Sequence, residues 1–288
     1  MILITGAGGN VGREVLKQMV QTRTAVRAAY QSAAKAVAPP GVEIATIDYN
    51  RPDTVRAALT GVTRVFLVGP PTAELSALDR KAIDVIAQAQ PVPQVVKLSA
   101  KGGRGALFPR LHAESEDYIA SSGVPYTFLR PNGFMQNIVN YSGTTIQDQN
   151  AFFGSEGDGK VSIIDIRDVA AVALKALTED THIGKAYTLT GPDALTNTEV
   201  AKVLSDVLGR EIRFINLPPA QLKQGLLGAG VKEWSADALL DLQRFYREGN
   251  AATVTNDVER VLGRKPIRFA QFAAEYRSAF ETRAQAGS

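Results

Sequence analysis

Gly6, Gly8, Gly9 and Gly12 fall within seven residues, directly after the apolar run Met1-Ile2-Leu3-Ile4-Thr5. Glycines at that density let a chain reverse sharply and let backbone N–H groups approach a ligand with no Cβ in the way. The pyrophosphate of a dinucleotide requires such a turn. Val11, Val15, Leu16 and Met19 follow at helical spacing, so the glycines sit in a strand–turn–helix, and the phosphate charge would meet the helix N-terminus around Asn10 and Val11. No acidic residue lies between Glu14 and Glu43, where a ribose-binding carboxylate would discriminate against a 2′-phosphate, whereas Arg27 and Lys35 flank the expected position at Tyr30-Gln31. This leans toward NADPH, with NADH possible.

The glycines fit G-x-G-x-x-x-G at 6, 8 and 12 and also G-x-x-G-x-x-G at 6, 9 and 12, the second being the pattern of extended and atypical short-chain dehydrogenases. Ser99 ends an apolar strand, Gln94 to Ser99, at the place where many short-chain dehydrogenases keep a serine that works with a Tyr-x-x-x-Lys pair. No tyrosine here has that lysine. The residues four after Tyr30, Tyr49, Tyr118, Tyr126, Tyr141, Tyr187, Tyr246 and Tyr276 are Ala34, Asp53, Ser122, Arg130, Thr145, Gly191, Asn250 and Phe280. An ordinary alcohol dehydrogenase or sugar-nucleotide epimerase is thereby disfavoured. The following helix carries His112 instead, an imidazole able to hydrogen-bond or pass a proton.

The elements that must position these groups alternate strand and helix, which predicts an α/β fold of Rossmann type, a doubly wound parallel sheet with a small mixed C-terminal lobe. Residues 1–155 form the nucleotide-binding domain, segments around 160–190 return to it, and 191–288 make a mostly helical lobe interleaved with the first. Strand ends on one side of such a sheet bind the ligand. That rule singles out Asp48 and Tyr49 after the third strand and Gly69-Pro70 after the fourth. It also singles out Ser99 and Lys101 after the fifth, and Pro131-Asn132-Gly133-Phe134 after Val124 to Arg130. Phe134, Met135 and Tyr141 are candidate walls of an apolar pocket, the polar stretch Tyr141 to Gly159 reads as a loop or lid, and Val161 to Ile164 reads as a short strand.

Composition removes other classes. The chain has 288 residues, a formal charge of +3 from interspersed basic and acidic residues, and no basic run, so a nucleic-acid footprint is not indicated. With no cysteine and only His112 and His182, neither a disulfide nor a metal site is expected. No 18-residue apolar run offers a membrane span, and the first strand begins at Met1, so the expectation is a cytoplasmic protein, monomer or homodimer.

Taken together, the Gly6/Gly9/Gly12 turn, Asp48-Tyr49, the helical His112-x-x-x-Glu116, Val124-Pro125-Tyr126-Thr127-Phe128-Leu129-Arg130 and Gly157-Asp158-Gly159-Lys160 resemble the NmrA-like atypical short-chain dehydrogenases. Within them the chain is most similar to the branch of type 2 NAD(P)H:quinone oxidoreductases and triphenylmethane reductases. The resemblance implies NADPH bound by the first domain, a cleft against the small lobe, little dedicated acid–base machinery, and His112 at the place where isoflavone-reductase-like enzymes carry a lysine. Where the family often ends strand two with an arginine, this chain has Gln31. Three functions remain open. One is hydride transfer to a small aromatic, quinone-like or dye-like acceptor; the others are nucleotide sensing without turnover, and an isomerase, dehydratase or carbon–carbon-bond reductase.

Overall fold

Every strand of the main sheet runs parallel to its neighbours, and the central strands are apolar on both faces. The structure is a computed structural model that describes residues 1–32, 34 and 36–281. Its strands are β1 (Ile2–Ile4), β2 (Val26–Tyr30), β3 (Glu43–Thr46), β4 (Arg64–Leu67), β5 (Gln94–Leu98), β6 (Tyr126–Pro131), β7 (Ala151–Gly154), β8 (Lys185–Leu189) and β9 (Arg213–Asn216). Seven of them form one sheet in the order β3-β2-β1-β4-β5-β6-β8, while β7 and β9 pair separately. The chain winds outward in both directions from β1 and β4, so the switch point, where ligands of such sheets bind, lies at the carboxyl ends of those two strands. The expected doubly wound α/β sheet is the one observed.

Alternation within the strands assigns the two faces. Ile2, Ile4, Phe66 and Val96 pack with Val15, Leu16 and Met19 of α1 (Asn10–Val20) and with Val169, Val172 and Ala173 of a long buried helix, Ile166–Thr178. Leu3, Val65, Leu67 and Val95 pack on the other face, against Val55 of α2 (Pro52–Ala58), Ile83 and Ile86 of α3 (Leu75–Ile86) and Ile119 of α4 (Leu107–Ser121). With both faces covered, the central strands read as nearly continuous apolar runs, as a parallel sheet requires, whereas the edge strand β3 is mostly exposed.

Of the stretch from Tyr141 to Gly159 only residues 155–159 form a loop. The rest falls in α5 (Gln136–Gln149) and β7, with Asn150 in the left-handed conformation between them. Only a narrow face of α5 is buried, through Gln136, Gly143 and Ile146, and so its sequence looks polar throughout. Tyr141 is 80% exposed on that helix and walls no pocket, while Met135 is buried core. Val161 to Ile164 contributes isolated bridges to Leu195 and Phe134 rather than a strand. The helix Ile166–Thr178, α6, is capped by Asp165.

Beyond Thr196, which with Glu199 closes a capping box, come α7 (Asn197–Leu208), α8 (Pro219–Gly228), α9 (Glu233–Arg247), α10 (Asp257–Leu262) and α11 (Phe269–Glu275). Their own core joins Val200 and Leu204 to Phe152, Phe269, Phe272 and Phe280, but Val258 of α10 is buried in the core of the main sheet. No helix of the described residues is long and apolar enough to cross a membrane.

One charge pair lies inside this frame. Lys97 of β5 and Asp79 of α3 are fully buried with 3.0 Å between Nζ and Oδ2, Lys97 also donates to the Leu98 carbonyl, and Ser115 of α4 donates to Asp79 Oδ2 at 2.8 Å. Removing one partner strands the other charge away from water, which costs far more than the pair contributes. Asp79→Ala is therefore expected to lower unfolding stability by about 3–5 kcal/mol, and the Asp79→Leu/Lys97→Met double variant by less than the single one. Urea denaturation checks this; a double variant less stable than Asp79→Ala would contradict it.

Candidate functional site

The turn from β1 into α1 closes at two glycines. Gly6 has φ +61°, and a Cβ there would lie 2.9 Å from Val68 Cβ; a Cβ on Gly12 would lie 2.2 Å from the Gly6 carbonyl oxygen. Neither position accepts a side chain. Gly9 donates its N–H to the Gly6 oxygen at 2.9 Å and precedes α1 in an extended conformation, with no side chain capping the helix and no acid in its first turn. Within α1, Arg13 is the first residue whose N–H meets a carbonyl, that of Gly9. The N–H groups of Asn10, Val11 and Gly12 are thus left for an external acceptor, and a pyrophosphate fits this donor set. Gly8 is less constrained, since a Cβ there would meet only the Tyr30 ring, at 3.6 Å.

Around this cradle the other strand ends are tied together by polar groups. Tyr49, after β3, donates its hydroxyl to the Val68 carbonyl at 3.1 Å, and burial holds that phenol well above its ordinary pKa. Asp48 accepts from the Asn50 N–H in a tight turn. Gly69, which precedes Pro70, packs so closely on Asp79 that a Cβ would fall 2.7 Å from its Oδ1. Lys101 joins the fifth and sixth strand ends, its N–H bonding the Pro131 carbonyl and its Nζ the Asn250 carbonyl. Gly133 and Phe134 follow β6, where Gly133 accepts from the Ile164 N–H and the Phe134 ring packs on the main core.

Several sequence-derived expectations need correction. Arg27 is near no ribose. It lies three residues before the end of β2, roughly 10 Å along the strand, and its guanidinium pairs with Glu43 and bonds the Ala58 and Thr60 carbonyls. Gln31 is exposed at the strand end, and Lys35 lies outside the described residues. The Ser99 hydroxyl does not face a ligand either, because it donates to Glu116, whose carboxylate is also gripped by the Arg130 guanidinium. Asn132 is a brace: its N–H bonds the Leu189 carbonyl, and its side-chain amide bonds Ser162 and the Ala251 carbonyl. A pocket of about 350 Å³ beside these residues is lined by Lys101, Arg104, Glu116, Asp117, Arg130 and Thr188.

His112 is 5% exposed, edge-on to Phe108 with ring centroids 4.9 Å apart, and its Nδ1 has no hydrogen-bond partner among the described residues. Burial first, and then the positive charge of Lys97, drive its pKa well below 6.5. The imidazole is therefore neutral at physiological pH, which leaves hydrogen bonding as its available chemistry and removes the expectation that it holds a proton ready to give. Sequence reasoning missed the Lys97–Asp79 pair, although a lysine inside the apolar run Val95-Val96-Lys97-Leu98 signals a buried partner.

The glycine geometry separates two variants. Gly12→Ala is expected to weaken NADPH binding by more than about tenfold in a fluorescence titration, since backbone, not a yielding side chain, opposes the new Cβ. Gly8→Ala should leave the melting temperature close to wild type. Equal damage from both would contradict the cradle geometry.

The NmrA-like family model matches residues 1–279. An NAD(P)H azoreductase of Xenophilus azovorans is 36% identical over 97% of this chain and 99% of its own. A (4-alkanoyl-5-oxo-2,5-dihydrofuran-3-yl)methyl phosphate reductase of Streptomyces griseus is 35% identical over 97% of this chain and 99% of its own. Among solved structures, the NADPH complex of the quinone oxidoreductase QOR2 of Escherichia coli superposes with a TM-score of 0.87 at 26% identity, covering 96% of this chain and all of that one. Sequence and fold agree along the whole length, and the chain belongs to the NmrA-like family.

Proposed function

We infer that the protein is an NAD(P)H-dependent oxidoreductase acting on a flat, electron-poor acceptor of the quinone or azo-dye kind. The observation that carries this is the uncapped N-terminus of α1 held at the sheet's switch point by Gly6 and Gly12. The relatives named above support the acceptor class. An azo bond, an unsaturated lactone and a quinone are all planar conjugated systems that take up hydride at one atom and an electron pair at another. Reduction of an unsaturated lactone is a carbon–carbon double-bond reduction, so that reading joins the first as another acceptor of the same type.

When bound, the reduced nicotinamide supplies the hydride. The chain's own residues supply position. The N–H groups of Asn10, Val11 and Gly12 hold the pyrophosphate, Tyr49 and Gly69-Pro70 shape the nucleotide channel, and Pro131 to Phe134 carry the reacting end. Orientation of two flat rings is worth a large share of such a barrier. His112 offers the acceptor a hydrogen bond from a neutral ring, which suits a reaction whose phenolate product is a far weaker base than an alkoxide.

Oxidation of NADPH and NADH by protein free of flavin, against a quinone, an azo dye and an unsaturated lactone, tests the reading. Rapid turnover with at least one is expected; tight nucleotide binding with no turnover would point to a sensor instead. A second expectation concerns His112, one of only two histidines. Because its folded pKa is depressed, its NMR signals should stay those of a neutral ring from about pH 8 down to about pH 6. The associated stability is present above the unfolded-state pKa and lost as the pH falls below it. His112→Ala should lower turnover and leave NADPH affinity unchanged; a His112 resonance that titrates near 6.5 would contradict the buried neutral ring.

A further inference from the structure

We propose that Tyr246 of α9 is the hydrogen-bond donor to the acceptor's carbonyl oxygen or azo nitrogen, approaching from the small lobe. This role rests on the reductase reading above. The C-terminal end of α9 folds over the carboxyl ends of β5 and β6. The Phe245 ring occupies the space that a Cβ on Gly105 would need, at 2.4 Å, and the Asn250 carbonyl beyond the helix takes the bond from Lys101 Nζ. Between these contacts Tyr246 reaches inward, and its hydroxyl lies 3.3 Å from where a Cβ on Gly133 would be. Glycine at 133 thus leaves room for a phenol at the segment that follows β6.

The side chain is half-buried and its hydroxyl uncommitted. Tyr30, Tyr49, Tyr118 and Tyr187 bond Val37, Val68, Asp84 and His182 respectively; among the described residues the hydroxyls of Tyr126, Tyr141, Tyr246 and Tyr276 have no hydrogen-bond partner, and of these four it is Tyr246 that lies against Gly133. A phenol at that segment with no protein partner keeps its O–H free for a ligand atom. Its charged neighbours are Glu156, whose buried Oε2 is also unpartnered, and Arg247, which donates to the Ser155 carbonyl. Burial, and then the negative charge of Glu156, hold the phenol far above its ordinary pKa. It therefore stays an O–H donor throughout the working range and does not ionise.

The chemistry balances without a phenolate. Reduction adds one hydride to the conjugated system and moves an electron pair onto the oxygen or nitrogen at its far end. The Tyr246 O–H holds that atom as its charge grows, as a preorganised donor does in a site of low dielectric. Solvent water then supplies the single proton that completes the two-electron reduction. The tyrosine that short-chain dehydrogenases place on the helix after the fifth strand is replaced, in this arrangement, by one from the opposite wall.

Tyr246→Phe removes one oxygen and keeps the ring. Its kcat/KM for a simple benzoquinone is expected to fall on the order of tenfold to a hundredfold, with the NADPH dissociation constant and melting temperature unchanged. The ratio of kcat/KM for the quinone to that for a triarylmethane dye cation, whose electrophilic carbon bears no oxygen, should fall with it. Gly133→Ala, which crowds the hydroxyl, should lower quinone turnover in the same direction. A quinone kcat/KM within about twofold of wild type, or equal losses on both acceptors, would overturn the role of Tyr246 and leave the reductase reading standing. Wild-type protein that turns over no acceptor would contradict the reductase reading itself, and this role with it.

Discussion

How closely α1 can approach β1 decides where everything else in this molecule stands. The contact is backbone on backbone: Gly12 rests against the carbonyl of Gly6, with no space for a single carbon between them. That approach brings the N-terminus of α1 to the sheet's switch point and seats Val15, Leu16 and Met19 in the core shared with α6. It also leaves three helical N–H groups facing the place where a phosphate would sit. A wider separation would lose the core contacts and the anion site together, because one geometric fact supports both.

Below the mouth of the sheet lies a polar layer that the nucleotide turn does not touch. Lys97 and Asp79 are paired under Gly69, Ser115 donates to the same carboxylate oxygen, and Glu116 gathers Ser99 and Arg130. Charges so deep are weak sources of stability, but each fixes a helix against a strand end. The Lys97 charge also acts on His112 and, with burial, keeps that ring neutral. Ser99 is held in the scaffold through its bond to Glu116. On the proposed reading the reaction is left to orientation and to neutral hydrogen-bond donors, which an electron-poor acceptor tolerates better than a simple ketone.

Much of this was legible in the sequence because it rests on local rules. Glycine spacing and continuous apolar runs depend on neighbours a few positions away, and they located the nucleotide turn and the strands of the main sheet. Arg27 shows where such rules stop. Charge and position suggested a phosphate ligand, but strand rise carried it to the far end of β2, beside Glu43. The polar stretch after Tyr141 concealed a helix because only one narrow face of α5 meets the core. Tyr246 has no lysine four residues on to mark it in the sequence, and its place in the structure comes from Gly133, more than a hundred positions earlier in the chain. Contacts of that range are set by packing, and no periodicity announces them.

Transfer of isotope tests the central claim, direct hydride delivery in a cleft built on the α1 turn, most directly. NADPH stereospecifically deuterated on one or the other face of the nicotinamide is mixed with flavin-free protein and a triarylmethane dye, whose leuco product does not exchange its new C–H. Deuterium in the product from one stereoisomer only, with a primary isotope effect from that isomer, is the expected result. A leuco dye free of deuterium from both isomers, or reduction that begins only when flavin is added, would contradict it.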